Sequence, residues 1–251
     1  MEVDKNREWL LKEKYHGEKA PGFFVDCERL TAGEPLAYVI GWQQFLDVKI
    51  WLDSQPLIPR TETEYWVGKA IEGRSKDKPI HVLDLCAGSG AVGVAVANAL
   101  PLARVDFAEK DPRHHATITR NICDNGIDYT QTRIFDGDLF AEIPKGTRYN
   151  FIFSNPPYID PKIDRAEPSV KNFEPHLALY GGQNGMEIIV RIIENAPDYL
   201  LPHGQLWIEH EPEHTEAIAI RVKKLYGGRA SLGTNQDQYG VERVSVITLL
   251  S

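Results

Sequence analysis

Three observations predict an α/β protein whose mainly parallel sheet is covered on both faces by helices. From Ile80 onward, short apolar runs rich in β-formers alternate with helical stretches. Two of those runs, His81-Val82-Leu83-Asp84-Leu85 and Phe151-Ile152-Phe153, read as strands buried in such a sheet. Between the first run and a small-residue helix lies a glycine-bearing turn, Asp84-Leu85-Cys86-Ala87-Gly88-Ser89-Gly90.

The elements follow in order. Asn6 to Tyr15 reads as a short helix, and Ala20-Pro21-Gly22 breaks it. Glu34-Pro35 opens a β-rich stretch, Tyr38-Val39-Ile40 and then Phe45, Val48, Ile50 and Trp51, with a hairpin turning between Gly41 and Asp47. Thr61 with Glu64 has the spacing of a capping box, so a helix starts there and ends near Gly73. Then come a strand at 81–85, a helix at 91–100, a strand at 104–109, a helix at 112–125, and strands at 133–136 and 149–153. A helix at 185–200, a strand at 205–209, a helix at 213–226 and a last strand at 242–249 complete the pattern.

The chain has 251 residues, enough for one large domain or a domain with a small appendage. The boundary falls between Trp51 and Ile80, giving an N-terminal helix-and-hairpin region at 1–55 and a catalytic domain at 56–251. No apolar run is long enough to span a membrane, and the charged opening Met1-Glu2-Val3-Asp4-Lys5 is no signal peptide. Cys27, Cys86 and Cys123 are odd in number and widely spaced, so the expected compartment is a reducing cytoplasm. A net charge of −8 argues against a protein built to grip nucleic acid.

Chemistry concentrates at two turns. Gly88-x-Gly90 lets backbone approach a ligand closely, and Glu109, nineteen residues on at the end of the next strand, can accept both hydroxyls of a ribose. Nothing further marks a pyrophosphate grip, which suits a phosphate-free nucleoside such as S-adenosylmethionine. The second turn, Asn155-Pro156-Pro157-Tyr158, ends a strand where open α/β sheets bind ligands. Proline has no N–H, so this turn presents acceptors without donors. The Asn155 side-chain oxygen and the Pro156 carbonyl could each take one N–H of a planar NH2 group, aiming its lone pair at a sulfonium methyl. Tyr158 would stack on that group and exclude water. Together the turns suggest methyl transfer from S-adenosylmethionine to an amide or exocyclic amine nitrogen.

These residues resemble a known family. Gly33 to Gly41, Leu57-Ile58-Pro59-Arg60-Thr61-Glu62-Thr63-Glu64, the Asp84 to Gly90 loop, Asn155 to Tyr158, Phe173-Glu174-Pro175, Gly185-Met186 and Tyr239 to Arg243 are similar, in order, to the protein-(glutamine-N5) methyltransferases. The resemblance implies a class I, Rossmann-like methyltransferase fold with a seven-stranded sheet. It also implies methylation of the Gly-Gly-Gln glutamine of peptide chain release factors; a sister branch modifies a ribosomal protein. It implies that Cys86, Ala87, Gly88, Ser89 and Gly90 wrap the methionine part of S-adenosylmethionine, that Glu109 holds its ribose and that Leu139 flanks its adenine. Asn155, Pro156, Pro157 and Tyr158 would bind the acceptor glutamine. Cys86 stands in place of the first loop glycine and Thr61 in place of a usual proline, and against the family's N-terminal helical module the 33 residues before Glu34 would be a cut-down version.

Other patterns compete with this reading. His210-Glu211-Pro212-Glu213-His214 matches a zinc-protease spacing, but Pro212 fits a first helical turn and leaves His210 on the preceding strand, so no metal is expected. Gly181-Gly182-Gln183 copies the release-factor signature by coincidence, and His114-His115 reads as a solvated helix face. Trp42 and Trp51 read as packing or lid residues, and Arg60 and Glu62 as a brace for the acceptor loop or a purely structural pair. The alternatives to a glutamine methyltransferase are an N6-adenine methyltransferase, which would need a basic groove, and a non-catalytic adaptor that keeps the fold.

Overall fold

The computed structural model describes residues 2–250. Its first elements are three helices, α1 (Glu2–Glu13), α2 (Pro21–Thr31) and α3 (Leu36–Ile40), closed around Leu10, Phe23, Leu30 and Val39. Two of these differ from expectation. Pro21 starts a helix rather than ending one, because proline fits the first helical turn. Tyr38-Val39-Ile40 is helical, not extended. Pro35 precedes it, Gly41 ends it in the left-handed conformation, and burial of Tyr38 and Val39 outweighs their β preference. The hairpin follows as β1 (Trp42–Phe45) and β2 (Val48–Trp51), turning at Leu46-Asp47.

Helix α4 (Thr61–Ile71) starts where expected but without the capping box. Arg60 is the N-cap residue and its side chain makes no cap, while Thr61 Oγ1 donates to Glu62 and Glu64 accepts the Leu46 N–H. The alternating part runs β3 (Ile80–Leu85), α5 (Ala91–Ala99), β4 (Ala103–Glu109), α6 (His115–Asp124), β5 (Thr132–Asp136) and β6 (Tyr149–Ser154). It continues with α7 (Pro168–Phe173), α8 (Glu187–Asn195), β7 (Leu200–Glu209), α9 (Thr215–Tyr226), β8 (Ala230–Gln236) and β9 (Glu242–Leu249). Helix α8 ends earlier than expected because Pro197 follows it in a short 3-10 turn, and β7 begins at once. Strand β8 gave no signal in the sequence, since all its residues but Leu232 are polar or small and none is fully buried.

Seven strands of the described residues form one sheet in the order β5-β4-β3-β6-β7-β9-β8, parallel except for β9, which runs antiparallel to both neighbours. This is the class I methyltransferase architecture. Alternate residues face opposite cores. Val82, Phe107, Phe153 and Trp207 pack with Trp66, Val94 and Ile118 from α4, α5 and α6, whereas Leu83, Ile152, Leu206 and Ile208 pack with Ile189, Ile192 and Ile218 from α8 and α9. The hairpin joins the first core through Phe45, Val48 and Ile50, and its backbone is tied to α6 by Trp51 N–H donating to Asn121 Oδ1 at 2.7 Å. Among the described residues, no helix is long and apolar enough to cross a membrane.

Strand order reverses between β3 and β6, whose last residues Leu85 and Ser154 lie side by side. Ligands of open α/β sheets bind at such a switch point, beyond the carboxyl ends of the strands. Both chemistry-bearing turns leave the sheet there.

Candidate active site

The glycine loop is shaped by backbone first. Cys86 sits at φ +65°, a left-handed conformation that favours glycine, and the N–H groups of Cys86 and Ala87 both donate to the Ala108 carbonyl. Gly90 opens α5 at φ +77°, and a Cβ there would press on Phe107 and Ile118. Asp84, fully buried beneath the loop, accepts the Gly93 N–H at 2.8 Å; burial pushes its carboxyl up to about 8.

The structure gathers Cys86, Gly88, Glu109, Leu139, Asn155 and Pro157 around one cavity at the strand ends. Ala87 and Ser89 line a recess beside it, together with Leu57, Thr63 and Asn155. Gly90 lines neither, and shapes the loop from behind. Glu109 is 7 % exposed. Its Oε2 accepts the Gly88 N–H at 2.7 Å and its Oε1 the Asp111 N–H at 2.8 Å. Leu139, like Cys86, holds a left-handed backbone (φ +58°), so two strained non-glycine residues face the same cavity. Leu57, Ala108, Leu177 and Ile188 supply apolar wall, with Lys110 beside Asp138 at its rim, 3.7 Å apart.

His114 also lines this cavity, and the expectation of a solvated histidine pair is corrected for it. His114 is buried, hydrogen-bonded to Ser54 Oγ at 2.8 Å, and held below its usual pKa by desolvation.

A second cavity opens on the other side of Asn155 and contains Pro156 and Tyr158 with Leu57, Arg60 and Val170. Leu57 and Asn155 are shared by both cavities and stand where they meet. Asn155 Nδ2 donates to Thr63 Oγ1 at 3.0 Å. Among the described residues, no donor reaches Asn155 Oδ1 or the Pro156 carbonyl. Tyr158 donates its hydroxyl to Glu209 Oε1 at 3.0 Å.

The presumed brace is corrected too. Glu62 turns to Thr61, whereas Arg60 pairs with Glu174 at 2.7 Å, and Glu174 also accepts the Ile58 N–H at 3.0 Å. The zinc-protease spacing is occupied by ordinary hydrogen bonds: His210 to Ser245 Oγ and the Glu211 carbonyl, His214 to the Asn184 carbonyl. Gln183 is exposed, with its N–H on Glu187. Trp42 and Trp51 flank the Lys49 ammonium, with ring centroids 4.2 and 4.1 Å away, and Arg120 lies over Trp51.

Comparison with known proteins places this geometry. Residues 72–172 match the family model of the methyltransferase small domain. The release factor glutamine methyltransferase of Geobacter sulfurreducens is 36% identical, with 94% of this chain and 86% of that protein covered. That of Bordetella pertussis is 34% identical over 217 residues, 86% of this chain and 78% of the relative. The chain belongs to the release factor glutamine methyltransferase family. A methyltransferase from Pyrococcus furiosus superposes with a TM-score of 0.60 at 21% identity, covering 89% of this chain and 97% of that one, which bears on the fold alone.

This family member is an S-adenosylmethionine-dependent methyltransferase, and the donor set fits such a nucleoside. A carboxylate with spare lone pairs ends β4, apolar walls can take a flat ring, and the rim lysine faces an aspartate rather than a vacant phosphate cradle. Sequence reasoning missed Thr63 and Glu209. The signal for Thr63 was its helical phase: it shares the buried face of α4 with Trp66, Val67 and Ala70, whereas Glu62 lies off that face.

Proposed function

We propose that this methyltransferase alkylates the side-chain amide nitrogen (N5) of the Gly-Gly-Gln glutamine of a peptide chain release factor. The observation that carries the reading is Asn155 at the junction of two cavities, with its NH2 tied to Thr63 and its oxygen free. Two acceptors side by side, Asn155 Oδ1 and the Pro156 carbonyl, suit a carboxamide NH2. They suit it better than a group that must itself accept hydrogen bonds.

In this reading Glu109 holds the ribose, Leu139 flanks the adenine, and Cys86 to Gly90 surround the methionine part of the donor. S-Adenosylmethionine supplies, when bound, an electrophilic methyl on a sulfonium. Asn155 and Pro156 pin the two N–H groups so that the amide lone pair points across the junction at Leu57. Their hydrogen bonds strengthen as positive charge grows on nitrogen, and so lower the barrier selectively. Positioning of this kind can supply up to about 7–11 kcal/mol. The amide proton becomes acidic once the nitrogen is alkylated and leaves to solvent, so no strong base is required beforehand. Tyr158, held by Glu209, covers one face of the acceptor and shields the donor methyl from water. Residues 1–55 form the docking region for the protein substrate and 56–251 the catalytic domain. The free thiols of Cys27, Cys86 and Cys123 suit a reducing cytoplasm.

The test is incubation of the full chain with S-adenosylmethionine and purified release factor, in parallel with DNA and RNA, followed by mass spectrometry. One methyl on the Gly-Gly-Gln glutamine and none on nucleic acid is expected. Methylated adenine with an unmodified release factor would overturn the proposal.

A further inference from the structure

We infer that Glu209 and Thr63 form a positioning pair that fixes which way the Asn155 amide faces, an inference that rests on the acceptor role proposed for Asn155. Glu209 is buried at the end of β7, with 1 % of its surface exposed. Its Oε2 receives two donors, Thr63 Oγ1 at 2.6 Å and Trp66 Nε1 at 2.7 Å, and its Oε1 receives the Tyr158 hydroxyl.

The polarity of this cluster follows from the inventory of donors. An indole N–H can only donate, so the carboxylate must accept from Trp66. A threonine hydroxyl has one proton, and at 2.6 Å from Glu209 that proton is committed to the carboxylate. Thr63 Oγ1 then has only lone pairs to offer Asn155, 3.0 Å away. A side-chain amide meets a pure acceptor with its NH2, never with its oxygen. The oxygen and nitrogen of an asparagine are otherwise hard to tell apart, and here chemistry decides. Oδ1 is therefore turned away from Thr63, toward the junction of the cavities.

Without this pair, the amide could rotate by half a turn and present a donor to the acceptor's N–H groups. That orientation repels the substrate. The same carboxyl group accepts the Tyr158 hydroxyl hydrogen bond, so one buried side chain sets the polarity of two residues of the acceptor turn. Glu209 and Thr63 are positioning residues, since neither is placed against the reacting atoms.

The experiment compares Thr63→Val, Thr63→Ser and Glu209→Gln in the full chain. Methylation of release factor gives kcat and KM, calorimetry gives donor affinity, and thermal unfolding reports the fold. Thr63→Val keeps the shape and removes the acceptor; it should lower kcat about tenfold or more, with donor affinity within about twofold. Thr63→Ser should restore most of the lost kcat. Glu209→Gln should lose less than Thr63→Val, because the carboxamide oxygen can still receive both Thr63 and Trp66. Nuclear magnetic resonance of the Asn155 side-chain NH2, assigned by its loss in Asn155→Ala, supplies a readout independent of substrate. Its two proton signals should exchange slowly in the native chain and faster in Thr63→Val. Wild-type kcat in Thr63→Val, or no rescue by serine, would overturn the inference; so would an NH2 signal indifferent to Thr63. If the native chain leaves release factor unmethylated while the NH2 signal still depends on Thr63, the functional proposal fails and the positioning pair stands.

Discussion

Glu109 and Gly88 are joined across the ends of neighbouring strands, the Glu109 carboxylate accepting the Gly88 N–H at 2.7 Å. With Asp111 on its other oxygen, two of the roughly four lone-pair sites of this carboxylate go to backbone and the others face the donor cavity. Hydrogen bonds to charged groups contribute about 1.5–3 kcal/mol. Glu109→Ala should therefore weaken S-adenosylmethionine binding by about 10- to 100-fold in a calorimetric titration. An unchanged dissociation constant would remove Glu109 from the ribose site.

Asn155→Ala deletes an acceptor that matters most as charge develops on the nitrogen. Losses of about 10²–10³ in kcat accompany the removal of one such group. Single-turnover kinetics should show that loss, with donor affinity changed far less. A variant that turns over at the native rate would refute the acceptor role.

Gly185 shapes the acceptor turn from outside. It holds φ +69°, and a Cβ there would collide with the Tyr158 carbonyl. Gly185→Ala should cost more than about 1 kcal/mol of stability and lower kcat as well, because the 155–158 turn must shift. Denaturant unfolding and the methylation assay check both effects together.

Glu174, 4 % exposed, closes the segment after the acceptor turn onto the stretch that carries Leu57, through Arg60 and the Ile58 N–H. Glu174→Ala leaves a buried N–H without a partner, at a cost of about 1–3 kcal/mol. The melting temperature should fall and KM for the protein substrate rise. Unchanged values would show that this tie is dispensable.

Asp84 gives a pH signature. Burial, with the Glu109 charge as a lesser cause, raises its pKa to about 8, while the Gly93 N–H opposes the shift. An unfolded aspartate titrates near pH ~4. The folded state therefore holds the proton more tightly, so stability is full below pH ~4 and is lost as pH rises toward about 8. Asp84→Asn removes this loss and its oxygen can still accept from Gly93. The melting temperature of the variant relative to the native chain should climb between mildly acidic and mildly alkaline pH; parallel curves would contradict the assignment.

What the sequence made legible was whatever depends on local chemistry: strand ends, the glycine loop, Asn155 to Tyr158, the hairpin at 42–51. What it hid depends on tertiary contact. Val39 reads as a strand residue until Leu10 and Phe23 bury it in a helix. Strand β8 offers only Ala230 and Leu232 to the core, too short an apolar alternation to read in the sequence, and its pairing with β9 defines it. In the site, Glu209 lies 146 residues from Thr63, so no spacing rule connects them. His114 looked exposed beside His115, yet the chain before α4 supplies Ser54 and covers it.

The central claim is that Asn155 and Pro156 hold an uncharged carboxamide in line with the methyl donor. A crystal structure of the chain with S-adenosylhomocysteine and a Gly-Gly-Gln peptide tests it most directly. The account predicts the glutamine side-chain nitrogen within hydrogen-bond reach of Asn155 Oδ1 and the Pro156 carbonyl, facing the sulfur past Leu57. A glutamine seated elsewhere, or a wall between that nitrogen and the sulfur, would contradict it.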